Sequence, residues 1–63
     1  MPVAQIYLLE GRSDEQKETL IASVTAAIAD SLEVQEPTVR VILIEMPKQN
    51  FGIGGKSTKK LGR

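Results

Sequence analysis

Few side chains in this sequence can exchange protons near neutrality. His and Cys are absent. Tyr7 and the lysines titrate too high unless heavily perturbed, and the carboxylates too low. An α-amino group remains, with an ordinary pKa of about 7.7–8.0. The residue directly behind Met1 is Pro2. A small second residue favours removal of the initiator methionine, which leaves Pro2 with a free secondary amine. In water that amine is more basic than an ordinary α-amino group. An apolar pocket and nearby cations both disfavour its protonated form, and an amine lowered in this way is a general base at cellular pH. Taken alone, Pro2 is first of all a common second residue. With Met1 attached, its nitrogen is an amide and cannot act as a base.

Two arginines complete the set of candidates. Arg12 stands between the first apolar run and a helical pattern, and alone it reads as a solvated loop residue. Arg40 is the only charge in an apolar run until Glu45. An arginine in a buried strand is costly without an anionic partner. Arg40 therefore forms either a structural ion pair, to Glu45 or Glu10, or a contact to a ligand. Two guanidinium forks suit a substrate with two carboxylates, or with a carboxylate beside a carbonyl.

The elements that must position these groups are short. Val3 to Leu9 is rich in β-branched and apolar residues and reads as a strand. Ser13 is a good N-cap with Gln16 at capping-box spacing. Asp14 and Glu15 suit the positive end of a helix dipole. Leu20, Ile21, Val24, Ala27, Ile28 and Leu32 recur at helical spacing, with Lys17, Glu18, Thr25 and Asp30 turned mostly to water. "EVQEPT" is a loop whose exit Pro37 fixes. Val39 to Met46 reads as a second strand, closed by Pro47. A short hairpin is expected around Phe51 to Gly55, then a loose basic tail. Phe51 either walls an apolar pocket or is a plain packing anchor. "NFGIGGK" lacks phosphate-loop spacing and no convincing helix follows it, so its glycines are read as turn and packing residues.

Strand, helix, strand favours parallel pairing with a right-handed crossover. The second strand is apolar on both faces, and its own helix can cover only one. Parallel sheets generally need both covered, so the uncovered face predicts another chain. Strand geometry adds a constraint. Pro2 and Leu9 lie at opposite ends of the first strand, roughly 23 Å apart at ~3.3 Å per residue. Arg12 cannot easily reach Pro2 of its own chain. If the two cooperate, Arg12 comes from a neighbouring subunit. Arg40 lies near the start of the parallel strand and so at the Pro2 end.

Composition bounds the rest. The chain has 63 residues, expected to form one domain spanning 1–63, and so short a domain is marginal alone. Without Cys or His, disulfides are impossible and a zinc site is not expected, leaving oligomerisation as the source of extra stability. Eight basic residues balance eight acidic ones and aromatic residues make up 3%, which argues against a nucleic-acid partner. No apolar run is long enough to span a bilayer, and no signal-peptide pattern opens the chain. A cytoplasmic protein without membrane association is the expectation.

Together, Pro2 after Met1, "AQIYLLEGRSDEQKETLI", "VRVILIEM" and "NFGIGG" resemble the 4-oxalocrotonate tautomerase (2-hydroxymuconate tautomerase) family, over almost the whole chain and in matching order. The resemblance implies an α+β fold, a short β-α-β subunit with parallel strands and a C-terminal β-hairpin, oligomerising through its sheet as a homohexamer, a trimer of dimers. It implies an isomerase of aromatic catabolism that converts 2-hydroxymuconate to its conjugated 2-oxo isomer, with Pro2 moving the proton. Carried over, Arg12 binds the distal carboxylate. Arg40 binds the carboxylate and oxygen at the 2-oxo end. Phe51 lines the apolar wall, and the Leu9 amide donates a hydrogen bond to the substrate's oxygen. No cofactor or metal is implied. Three alternatives stand beside this reading. One is a promiscuous tautomerase or hydratase, another a dehalogenase acting on a different unsaturated acid. The third is a non-enzymatic oligomerising module whose amino terminus stays blocked by Met1.

Overall fold

The computed structural model describes all residues, Met1–Arg63. Strand β1 spans Val3–Leu9, helix α1 spans Asp14–Leu32 and strand β2 spans Arg40–Met46, followed by the two-residue strands β3 (Gly52–Ile53) and β4 (Lys56–Ser57). β1 and β2 pair in parallel, with Val3 opposite Arg40 and Leu9 opposite Met46. β3 and β4 pair antiparallel in a separate ribbon. This is the β-α-β unit with a C-terminal hairpin that the sequence predicts.

The helix begins where its chemistry says it should. Ser13 Oγ accepts the Gln16 N–H at 3.1 Å, and Gln16 Oε1 accepts the Ser13 N–H at 3.0 Å, so both halves of the capping box are present. At the other end Glu33 takes a left-handed conformation, φ 55°, and its N–H bonds the Ala29 carbonyl. Leu20, Ile21, Val24 and Ile28 are half-buried, Ala29 is buried, and Ala27 and Leu32 are exposed in the single chain. Lys17 departs from expectation. It faces the sheet, where its ammonium meets Glu45 Oε1 at 3.1 Å and Asp14 Oδ1 at 3.5 Å. The hydrogen bond to Glu45 is the main reason its pKa lies above the ordinary 10.5.

β2 starts one residue later than the sequence suggests. Glu36–Thr38 form a 3-10 turn, and the Val39 N–H caps it by bonding the Glu36 carbonyl at 3.0 Å. In the ribbon, Gly54 and Gly55 both have positive φ, 60° and 86°. A two-residue hairpin turn of this hand matches the natural twist of its strands, and glycine enters it without steric penalty. The expected loose tail is ordered. Thr58, 1% exposed, is the most buried residue of the chain. Its Oγ1 donates to the Lys48 carbonyl at 2.8 Å and its N–H to the Phe51 carbonyl at 2.8 Å. The Leu61 and Arg63 N–H groups fold back onto the carbonyls of Ser57 and Thr58.

The two faces of the sheet differ. Ala4, Ile6 and Leu8 of β1 register with Val41, Leu43 and Glu45 of β2, on the face that α1 covers. The other face carries Val3, Tyr7 and Ile42, which are 51%, 64% and 44% exposed. Only Ala29, Val39 and Thr58 are buried. The radius of gyration is 14.6 Å, against about 11 Å for a compact domain of this length. A chain this flat has not completed its core, and its bare sheet face needs covering.

Candidate active site

At the amino-terminal end of the sheet, the ladder begins with the Arg40 N–H donating to the Pro2 carbonyl at 3.0 Å. Pro2 is half-buried immediately before β1. Its neighbour across the ladder is therefore Arg40, as the parallel topology predicts. The Arg40 guanidinium donates through Nη1 to the carbonyls of Pro37 at 2.6 Å and Val39 at 3.4 Å. These contacts hold its stem along the turn that precedes β2, while the side chain stays exposed.

Of the two roles the sequence left open for Arg40, the ion pair is absent. Glu45 lies five residues along β2, on the helix-covered face, and is engaged by Lys17. Glu10 stands beyond the far end of β1, where its Oε2 accepts the Lys48 N–H at 3.1 Å. Both ion pairs of the chain belong to Lys17. The Arg40 charge thus has no carboxylate partner, which leaves it free to meet an anion.

The opposite end gathers the other candidates. Arg12 follows β1 by three residues, exposed and without an acidic partner, and its Nη1 donates to the Leu9 carbonyl at 3.4 Å. The ladder itself fixes the direction of the Leu9 peptide groups. The Pro2 carbonyl and the Glu10 N–H both bond β2. Since alternate residues of a strand turn their backbone groups to opposite edges, those of Val3, Gln5, Tyr7 and Leu9 face the outer edge of β1. The Leu9 N–H is thereby available to a ligand or another chain.

Phe51 is half-buried at the end of the Lys48–Asn50 turn. Three hydrogen bonds fix it: its own N–H to the Lys48 carbonyl at 3.4 Å, the Thr58 N–H to its carbonyl, and the Lys48 N–H to Glu10. Glu10 therefore ties the ribbon to the Arg12 end of the sheet. The sequence reading offered Glu10 only as a partner for Arg40 and did not single out Thr58. A lone Glu after a strand and a lone Thr among lysines carry no pattern that would single them out.

The five candidates fall into two half-sites. Pro2 and Arg40 occupy one end, and Leu9, Arg12 and Phe51 occupy the other or the segment tied to it. A seven-residue ladder separates them, roughly 23 Å at ~3.3 Å per residue. A single chain encloses no pocket. Neither half alone can both take a carbon-bound or hydroxyl proton and grip a dianion at two points. A second chain that set its Arg12 end beside the Pro2 end of the first would bring the two half-sites together.

Comparison with known proteins bears on the same elements. The family model described as tautomerase enzyme matches residues 2–61. A 2-hydroxymuconate tautomerase of Stutzerimonas stutzeri is 64% identical over all 63 residues, with both chains fully covered. A structure from work on the 4-oxalocrotonate tautomerase isozymes of Methylibium petroleiphilum superposes with a TM-score of 0.93 at 50% identity, covering 98% of this chain and all of that one. One from a heterohexamer 4-oxalocrotonate tautomerase of Chloroflexus aurantiacus J-10-fl gives 0.91 at 39% identity, over 97% and 98% of the two chains.

Proposed function

This chain belongs to the tautomerase enzyme family, and from that premise we propose that its Pro2 is the general base for a specific reaction, ketonisation of a 2-hydroxymuconate-type dienol. The chain is an isomerase, a tautomerase of the 2-hydroxymuconate type. The substrate is an unsaturated dicarboxylic 2-hydroxy acid and the product a 2-oxohex-3-enedioate. The observation that carries the reading is the Pro2–Arg40 pairing at one end of the sheet, with a guanidinium free of any carboxylate.

The reaction moves one proton. The unprotonated Pro2 nitrogen, freed by loss of Met1, takes the proton of the 2-hydroxyl group. The oxygen's electrons form the C2 carbonyl, the C2–C3 double bond shifts to C3–C4, and the C4–C5 electrons take the proton at C5. Negative charge collects on the 2-oxygen and its conjugated carbons on the way. A cation placed there stabilises the dienolate more than the substrate, which is what acceleration requires. Arg40 fills that role and grips the adjacent carboxylate. Its charge, together with exclusion of water, also favours the neutral amine. Arg12 grips the distal carboxylate, the Leu9 N–H donates to a substrate oxygen, and Phe51 walls the conjugated chain.

Arg12 and Pro2 of the same chain are too far apart for one substrate. The complete site therefore lies between subunits of a homohexamer, with the bare face of the sheet buried in the assembly. The relative from Chloroflexus aurantiacus J-10-fl is a heterohexamer, which supports an assembly of six subunits. Membership of an enzyme family argues against a non-enzymatic module.

Two measurements test the reading together. Intact mass of the purified oligomer is expected to lack Met1. Pro2→Ala is expected to assemble normally and to lose about 10²- to 10⁴-fold in kcat for 2-hydroxymuconate. An active protein that retains Met1, or an unchanged kcat in the variant, overturns Pro2 as the base.

A further inference from the structure

The chain's net charge is zero, but its charges are segregated. From Ser13 to Thr38, the helix and the turn after it carry Asp14, Glu15, Glu18, Asp30, Glu33 and Glu36 against Lys17 alone. From Pro47 onward the order reverses. Lys48, Lys56, Lys59, Lys60 and Arg63 are all exposed, no acidic side chain accompanies them, and none takes part in an ion pair. The ordered tail holds them in one lobe. Thr58 locks Lys59 beside Lys48, with the Lys59 N–H on the Lys48 carbonyl at 3.3 Å, and the Ser57 hydroxyl accepts the Lys60 N–H at 3.1 Å. The one carboxylate side chain tied to this lobe is that of Glu10, through the Lys48 N–H.

We propose that this lobe is an electrostatic collector for dianionic substrate, a specificity device separate from the groups that hold the substrate in place. The inference rests on the function proposed above. The lobe carries Phe51 and is tied to the Arg12 end, so it flanks the part of the site that receives the distal carboxylate. The acidic helix packs on one face of the sheet, and its excess negative charge repels the same ligand from that side. A single-signed rim of this kind raises the local concentration and arrival rate of an oppositely charged ligand by about 10- to 10³-fold. The effect acts through solvent, reaching ~30 Å at about 0.01 M salt and ~8 Å at about 0.15 M. It needs no contact between lysine and substrate, and it favours a dianion over a monoanion of the same shape.

The test compares 2-hydroxymuconate with 2-hydroxypenta-2,4-dienoate, the same dienol without its distal carboxylate, on the assembled enzyme. For the wild type, raising salt from about 10 to about 300 mM is expected to lower kcat/KM for the dianion about 10-fold, with a shallower fall for the monoanion and kcat unchanged. The variant Lys59→Gln/Lys60→Gln/Arg63→Gln is expected to show, at low salt, the reduced kcat/KM and flattened salt slope. The Lys59→Arg/Lys60→Arg variant is expected to behave as wild type, because only charge is at stake. A flat salt response in the wild type, or an unchanged slope in the Gln variant, overturns the collector while leaving the tautomerase reading intact. A wild type that turns over neither acid overturns the functional reading and the collector with it.

Discussion

The two ends of the β1–β2 ladder are built by different means. At the Pro2 end, position comes from regular structure. Arg40 opens a strand, its N–H starts the ladder on the Pro2 carbonyl, and the turn before the strand supplies the carbonyls that hold its guanidinium. At the Leu9 end, position comes from loops. Arg12 sits in a connection, and Phe51 sits on a ribbon held by Glu10 and Thr58. The difference matches the proposed tasks. Proton transfer and charge stabilisation demand placement within a fraction of an ångström, which rigid elements give best. Gripping a distal carboxylate tolerates a longer, looser arm. On the proposed reading each end is incomplete alone, because each lacks the group that the other provides.

Among the charge substitutions, breaking the Pro2 end is expected to have the largest effect. Arg40→Gln keeps a donor but removes the cation where the dienolate forms. Its kcat is expected to fall about 10²- to 10³-fold, by steady-state kinetics on 2-hydroxymuconate. A change confined to KM is the contrary result. Arg12→Gln attacks the other end. A charge-assisted contact contributes about 1.5–3 kcal/mol, so the expectation is a rise in KM of about 10- to 100-fold with a smaller change in kcat.

These variants can also be set against each other. Pro2→Ala and Arg12→Gln chains, unfolded together and refolded, are expected to show a kcat/KM for 2-hydroxymuconate above that of either parent. An Arg12→Gln chain still brings Pro2, and a Pro2→Ala chain still brings Arg12. Mixed oligomers without recovery would mean that the two ends do not meet across subunits.

Smaller effects sharpen the view of how the ends are held. Thr58→Val removes the hydroxyl bond to the Lys48 carbonyl, but that carbonyl keeps the Lys59 N–H. The expected loss is therefore about 1 kcal/mol of stability, seen as a lowered denaturation midpoint. A raised KM should accompany it as Phe51 loosens. Lys17→Met is expected to matter least. The Lys17 pKa is raised above 10.5 in the folded chain, mainly by the hydrogen bond to Glu45. Its contribution is therefore complete below pH 10.5 and lost as pH rises through the higher folded value. Thermal scans from neutral to strongly alkaline pH should show a small decline in the wild type that the variant lacks.

Much of this was legible along the chain. Ser13 and Gln16 announce the helix because a capping box is a local bargain between residues three apart. The strands follow from apolar β-branched runs. Their parallel pairing follows from the strand-helix-strand order, and it puts Arg40 beside Pro2. The basic tail was legible only as composition, because its order depends on one buried Thr that no sequence pattern marks.

Local chemistry, then, already set down the elements, their order and the separation of Pro2 from Arg12, because caps, periodicity and rise per residue act over a few neighbours. The folded chain alone decided which face of a doubly apolar strand the helix would cover. It alone decided that Lys17 rather than Arg40 would neutralise Glu45, and that Glu10 and Thr58 would fasten the ribbon. Those outcomes depend on register and on contacts between residues up to 38 positions apart, and linear spacing carries no record of them.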